Sequence, residues 1–245
     1  MKPLIIIPTY NEKESLPHIL KRITSLHKDL DILIVDDNSP DGTGQLADSY
    51  AHENSRIHVL HRKSKEGLGR AYIDAFLWTF QHDWTHIIQM DADGSHQASD
   101  LAKLLKAARS HNNPALVIGS RYVKGGKIEG WAKWREYLSR LGNLYISLML
   151  GLPAKDATAG FRIYSVDFLK RHDISQIESS GYFFQTDMTI HVHRHHGTIV
   201  EVPITFIERA YGQSKLSGNI FLESLTRTTK LGIHYRISQL KKFIK

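Results

Sequence analysis

The sequence predicts an α/β fold: a mostly parallel central sheet flanked by helices. Three observations predict it. Short apolar, β-branched runs alternate with segments of helical periodicity over the first 120 residues. The runs read as strands buried on both faces, which is the habit of parallel sheets covered by helices. The runs around residues 35 and 90 end abruptly in acids, which puts carboxylates beyond the carboxyl ends of strands, where ligands of such sheets sit.

Taken in order, Leu4 to Ile7 predicts the first strand, and Leu16, Ile19, Leu20, Ile23 and Leu26 fall on one face of a helix. Ile32 to Val35 is a strand, Thr43 to Ala51 a helix and Ile57 to Leu60 a strand. Leu68 to Gln81 carries Leu68, Ala71, Tyr72, Ala75, Phe76 and Phe80 on one helical face. Ile87 to Met90 is a strand, Leu101, Leu104, Leu105 and Ala108 mark a helix, and Ala115 to Gly119 is a strand. The second half is less regular. Residues 122–130, rich in glycine and lysine, predict a mobile loop. Residues 131–152 mix tryptophans, basic residues and a late apolar stretch, Thr198 to Ile207 suggests a hairpin, and Asn219 to Lys245 is a basic helix.

Composition narrows the function classes. The chain has 245 residues, 32 Lys plus Arg against 25 Asp plus Glu, a net charge of +7 and no cysteine. The excess charge suits an anionic partner. The basic residues are dispersed and no helix-turn-helix, zinc or RNA-recognition motif appears, which argues against nucleic acid. No disulfide framework exists. No segment reaches the roughly 18 apolar residues that a spanning helix needs, and the apolar stretch at the N-terminus is too short for a signal peptide. There are no repeats and no obvious linker, so one domain is expected.

The chemistry gathers at the strand ends. Pro8-Thr9-Tyr10-Asn11-Glu12 follows the first strand and offers a ring and a carboxylate, although it also suits a plain turn with Asn11 as helix cap. Val35-Asp36-Asp37-Asn38-Ser39-Pro40-Asp41-Gly42-Thr43 follows the second. Turn chemistry explains its Asn, Pro and Gly, but not two adjacent acids. Asp91-Ala92-Asp93 follows the fourth strand, where two carboxylates can share a hard divalent cation such as Mg²⁺ or Mn²⁺ that holds a phosphate. A dinucleotide-type G-x-G-x-x-G is missing after the first strand, and Gly67-Leu68-Gly69 lacks the Lys-Ser/Thr of a P-loop. Arg209 and Lys215 flank a basic loop. Arg121, with Arg135 and Arg140, supplies planar guanidinium forks suited to a second phosphate. His191, His193, His195 and His196 share no clean ligating face and predict packing or surface.

In this order the segments resemble dolichol-phosphate (polyprenol-phosphate) mannose synthases. The likeness continues through Lys65-Glu66-Gly67-Leu68-Gly69, Gly119-Ser120-Arg121-Tyr122, Ser139-Arg140-Leu141-Gly142-Asn143, Ala159-Gly160-Phe161-Arg162, Tyr182-Phe183-Phe184-Gln185, Val202-Pro203-Ile204 and Gly212-Gln213-Ser214-Lys215. The resemblance covers the chain to about Leu231. It implies a single GT-A glycosyltransferase domain over 1–245, with a nucleotide-binding half (1–120), an acceptor half (121–230) and a basic tail (231–245). It implies metal-dependent inverting transfer of mannose from GDP-mannose to a polyprenyl or dolichyl phosphate. Pro8, Tyr10, Glu12, Val35 and Asp37 would hold the guanosine. Asp91, Ala92 and Asp93 would meet the donor diphosphate, Asp91 and Asp93 as metal ligands and Ser95 where other members place a third. Arg209 and Lys215 would clasp the diphosphate, and Arg121, Arg135 and Arg140 the acceptor phosphate. Asp91, Asp93 and Arg121 are the expected catalytic residues. An acceptor phosphate is already mostly ionised near neutral pH, so no general base is needed. The expected setting is the cytoplasmic face of a membrane, reached peripherally through residues 131–152 and the basic tail, with room for a membrane-embedded partner subunit. A UDP-glucose-dependent polyprenyl-phosphate glucosyltransferase and an inactive sugar-nucleotide-binding subunit are the alternatives.

Overall fold

The computed structural model describes residues 1–110, 113–177, 179, 181, 183–209 and 218–243, the backbone alone at 218–223, 235 and 238–243. In chain order the elements are β1 (Pro3–Thr9), α1 (Leu16–Leu26), β2 (Asp31–Asp36), α2 (Thr43–Glu53), β3 (Ile57–His61), α3 (Leu68–Phe80), β4 (His86–Gln89), α4 (Leu101–Ala108) and β5 (Leu116–Ser120). There follow β6 (Lys127–Glu129), α5 (Lys133–Leu150), β7 (Arg162–Ser165), α6 (Val166–Arg171), α7 (Phe184–Arg194), β8 (Ile199–Pro203), β9 (Thr205–Ile207) and α8 (Gly218–Phe243). A short 3₁₀ turn at Ala98–Asp100 precedes α4.

Seven strands make one sheet in the order β3-β2-β1-β4-β7-β5-β8. All neighbours are parallel except β7, which runs antiparallel to both β4 and β5. Side chains alternate between the two faces of a strand, so the apolar runs serve two cores at once. Leu4, Ile6, Leu33 and Val35 pack with Tyr72, Phe76 and Phe184 on one face. Ile5, Ile7, Ile32 and Ile34 pack with Ile19, Ile23, Leu101 and Leu104 on the other. Each such buried aliphatic side chain contributes roughly 1.5–3 kcal/mol before conformational entropy is charged.

Register aligns the strand ends. Thr9 lies beside Asp36, and Asp36 beside His61. Ile6 lies beside Gln89. Tyr10, Asp37 and Arg62 directly follow Thr9, Asp36 and His61, and Asp91 lies two residues beyond Gln89 at the same end of the sheet.

Two expectations for the second half need correcting. Thr198 to Ile207 is no hairpin: β8 joins the edge of the main sheet, while β9 pairs with β6 in a separate two-stranded parallel sheet. The change of sheet happens at Ile204, which is buried and whose N–H bonds the Ser120 carbonyl at 3.2 Å. Residues 122–130 are not simply a loop, because β6 lies within them. The tail helix α8 docks on α5: Arg236 Nη2 donates to the Leu148 carbonyl at 2.7 Å, and Tyr145 and Thr229 hydroxyls meet at 2.7 Å.

Candidate functional site

The adjacent acids after β2 divide their labour because successive residues point to opposite sides. Asp36 is structural: its Oδ1 accepts from Ser39 Oγ at 2.6 Å and Thr9 Oγ1 at 3.2 Å. A Cβ on Gly44 would lie 2.9 Å from Asp36 Oδ2, so a larger residue here would have to displace that acid. Asp37 faces the rim and is paired with Arg62. Arg62 also donates through Nε to Asp74 at 2.7 Å. Burial works against its charge, but Asp37 and Asp74 outweigh burial and raise its pKa. Sequence reasoning missed Arg62. The signal was the register, which sets the residue after His61 beside the residue after Asp36.

The loop after β1 is laced to the loop after β2. Asn11 caps no helix: it takes a left-handed conformation at φ 57°, and its N–H donates to Ser39 Oγ at 3.1 Å. Glu12 donates its N–H to Thr43 Oγ1 at 3.0 Å and accepts from Ser15 Oγ at 2.5 Å. Tyr10 is half-buried, with Lys65 Nζ 3.9 Å from its ring centre. Pro8 and Val35 sit at the strand ends in one register pair. Ala92 is buried between the two acids.

Past β4 the chain turns through Gly94 at φ 78°. Asp93 is fixed from one side: its Oδ1 accepts from the Ser95 N–H at 3.0 Å and Ser95 Oγ at 2.6 Å. Its Oδ2 faces Arg209 Nη2 at 3.6 Å. Asp91 donates its N–H to His96 Nδ1 at 3.1 Å, and its Oδ2 lies 3.9 Å from His96 Nε2. The His96 ring stacks on Phe161 with centroids 5.0 Å apart. Gly160 packs beside His96 and Asp91: a Cβ there would stand 3.3 Å from His96 Cε1 and 3.5 Å from Asp91 Oδ2.

These residues fit a hard divalent cation. Two carboxylates project at a strand end, one held by hydrogen bonds, as outer partners orient metal ligands. Among the described residues no group of three or more His, Cys, Asp or Glu is placed to hold a metal. Mg²⁺ is typically bound through one or two carboxylates, with substrate phosphate and water completing the shell. Ser95 is buried and gives its hydroxyl hydrogen to Asp93, so it acts on the site through that acid.

The three arginines expected at a second phosphate are brought together around two rings. Arg121 and Arg135 lie over Trp131 at 5.7 and 4.1 Å, and Arg121 and Arg140 over Tyr122 at 5.1 and 4.8 Å. All three already have carboxylate partners. Arg135 meets Glu208 at 2.9 Å and Arg140 meets Glu136 at 2.8 Å, both near the surface. Arg121 is different. It is buried and makes a two-pronged bond to fully buried Asp156, Nε at 2.8 Å and Nη2 at 2.6 Å. A phosphate arriving there meets a neutralised pair. Asp156, 35 residues away, gave no local signal in the sequence.

Arg162 belongs to the core. Its buried guanidinium donates to the carbonyls of Ala157 at 2.6 Å and Gln185 at 2.7 Å and to Thr189 Oγ1 at 2.9 Å. The histidines pack together: the His195 ring lies 4.3 Å from His172 and 4.4 Å from His191. Lys215 and the loop before it lie outside the described residues.

Residues 4–173 match the family model for glycosyl transferase family 2. The undecaprenyl-phosphate mannosyltransferase of Micrococcus luteus is 49% identical over 241 residues, covering 98% of each chain. The polyprenol monophosphomannose synthase of Mycolicibacterium smegmatis is 42% identical over 245 residues, 100% of this chain and 92% of that one. Among solved structures, glucosyl-3-phosphoglycerate synthase from Mycobacterium tuberculosis, in complex with Mn²⁺, UDP-glucose and phosphoglyceric acid, is similar with a TM-score of 0.69 at 17% identity, over 94% of this chain and 79% of that one. A mannosyltransferase from Pyrobaculum calidifontis, in complex with GDP-Man and Mn²⁺, gives 0.61 at 14%, over 97% and 64%. At these identities the structural likeness speaks to the fold, which is the GT-A arrangement expected from the sequence.

Proposed function

The chain belongs to glycosyl transferase family 2, and from that premise we propose that it transfers mannose from GDP-mannose to a polyprenyl phosphate, with inversion. The observation that carries this reading is the acid pair after β4, with Asp93 pinned by Ser95 and faced by Arg209 at 3.6 Å. The residues proposed to hold the guanosine, Pro8, Tyr10, Glu12, Val35 and Asp37, belong to or follow the neighbouring strands β1 and β2. The two curated relatives, similar over nearly the whole chain, carry names that say mannose and polyprenol phosphate.

The reaction follows from charge. An oxygen of the acceptor phosphate attacks C1 of mannose; the C1–O bond to GDP breaks, and its electron pair leaves on the diphosphate. No proton moves, so the chain's residues need only position and neutralise. Asp91 and Asp93 would hold the cation, which when bound would stabilise the negative charge of the leaving diphosphate. Arg209 adds positive charge there; Lys215, expected beside it, lies outside the described residues. Arg135 and Arg140 sit in exposed ion pairs worth little, and either can exchange its carboxylate for the acceptor phosphate. Arg121, held by Asp156, shares the Trp131 ring with Arg135 and the Tyr122 ring with Arg140.

The acceptor is lipid-linked, and α5 presents an apolar stripe to meet it. Trp134, Tyr137, Leu138, Leu141, Leu144 and Leu148 are all exposed, Trp134 at 70%. Their spacing puts them on one helical face, the pattern of a helix lying in a membrane interface. Among the described residues no helix is long and apolar enough to cross a membrane. The proposed setting is peripheral, at the cytoplasmic face of a membrane, alongside a membrane-embedded partner.

The test supplies labelled GDP-mannose, Mg²⁺ or Mn²⁺ and polyprenyl phosphate. Label should pass into the organic phase, and excess UDP-glucose should not compete. Label that enters only a water-soluble acceptor, or a donor preference for UDP-glucose, would sink the proposal.

A further inference from the structure

Just past β3 a groove of about 330 Å³ opens beside Asp37, lined by Arg62, Ser64, Glu66 and Asp74 among others. One guanidinium, Arg62, meets three carboxylates there, and Lys63 also lines the groove. Asp37 is buried against Arg62, and Asp74 takes Nε at 2.7 Å. Glu66 makes the longest contact, 3.4 Å to Nη2, and its side chain is 56% exposed. Ser64 Oγ donates to Glu66 Oε1 at 3.2 Å and so steadies the carboxylate. The neighbouring Lys65 lies over Tyr10. Residues 64–66 thus run from the Tyr10 ring, proposed above to meet the nucleoside, to the Arg62 cluster.

We propose that Glu66 selects guanine, its carboxylate accepting hydrogen bonds from the ring N1–H and the exocyclic amino group. The inference rests on the nucleotide-donor reading above and names its specificity residue. Guanine offers two adjacent donors to one carboxylate. Uracil offers one N–H between two carbonyl oxygens, which a carboxylate repels. Hypoxanthine keeps the ring N–H and loses the amino group, so it isolates the second bond. A paired contact to a base edge is worth a preference of roughly 10- to 100-fold. Glu66 is the most exposed of the three acids and makes the longest contact with Arg62, whereas Asp37 and Asp74 hold it more closely.

The test is calorimetric titration of the full chain with GDP, IDP and UDP in the presence of Mg²⁺. The wild-type protein should bind GDP about tenfold more tightly than IDP, and UDP more weakly still. Glu66→Gln should lose GDP affinity about tenfold or more and bring the GDP-to-IDP ratio close to one, with an unchanged melting temperature. Asp74→Asn should keep the ratio, because it disturbs Arg62 and leaves the Glu66 carboxylate in place. The proposal is overturned if Glu66→Gln preserves the ratio, if Asp74→Asn abolishes it equally, or if the wild type does not separate GDP from IDP. A wild type that prefers UDP to GDP overturns the donor reading and this inference together; loss of the Glu66 effect alone leaves the donor reading standing.

Discussion

Asp93 shows how a short motif becomes a rigid ligand. Its Oδ1 is occupied by two bonds from Ser95, which leaves Oδ2 facing the site. Removing the hydroxyl in Ser95→Ala loosens the acid without touching the cation directly. The metal concentration for half-maximal turnover should rise roughly 10- to 100-fold, with activity recovering at saturating metal. An unchanged metal titration would show that Ser95 only fills space. Asp91-Ala92-Asp93 was legible in the sequence because the signal is local: an apolar run stopping at two acids. Arg62 and Asp156 were not, since their meaning lies in partners 25 and 35 residues distant. Arg121 was legible as a cation near the site, but its burial against Asp156 was not, because composition says nothing about which charge is desolvated. Cutting Asp156→Ala strands that guanidinium in the interior. Urea denaturation should register a loss of about 3–5 kcal/mol.

Among the elements, the strands and helices of the first 120 residues were legible to within about two residues, because long apolar runs carry strong periodicity. The three-residue strands β6 and β9 were not, since their pairing comes from the path at Ile204 rather than from their own composition. The helix α7 carries a pH response. Burial, and then the neighbouring His195, depress His191 from 6.5 to about 4. His172 also faces it, and burial followed by His195 lowers that residue too. Between about pH 6.5 and 4 the unfolded chain takes up a proton that folded His191 refuses. Stability contributed by neutral His191 is therefore present above pH 6.5 and is lost as pH falls through that window. Urea midpoints for His191→Gln should fall less steeply from pH 7 to 4.5 than those of the wild type. Parallel slopes would assign the acid sensitivity elsewhere.

At the scale of the whole molecule, the exposed stripe on α5 lies alongside the docked helix α8, where Ile233 and Ile237 are also exposed. Replacing Leu141 and Leu148 together by Asp should weaken co-sedimentation with anionic vesicles by about tenfold or more, given the apolar area each leucine can bury. Melting temperature and GDP binding should stay as they were. Equal sedimentation would remove α5 from the membrane reading. The order of the sheet has a further consequence, for a chain made from its N-terminus onward. The strands β4 and β5 both lie in the first 120 residues, yet β7 stands between them. While residues 162–165 have still to leave the ribosome, β4 keeps an open edge and β5 has no neighbour. Such edges are templates for pairing with other chains. A fragment ending at residue 120 should aggregate rather than bind nucleotide, and the nascent enzyme is most exposed to a chaperone's attention while residues 121–203 are being translated.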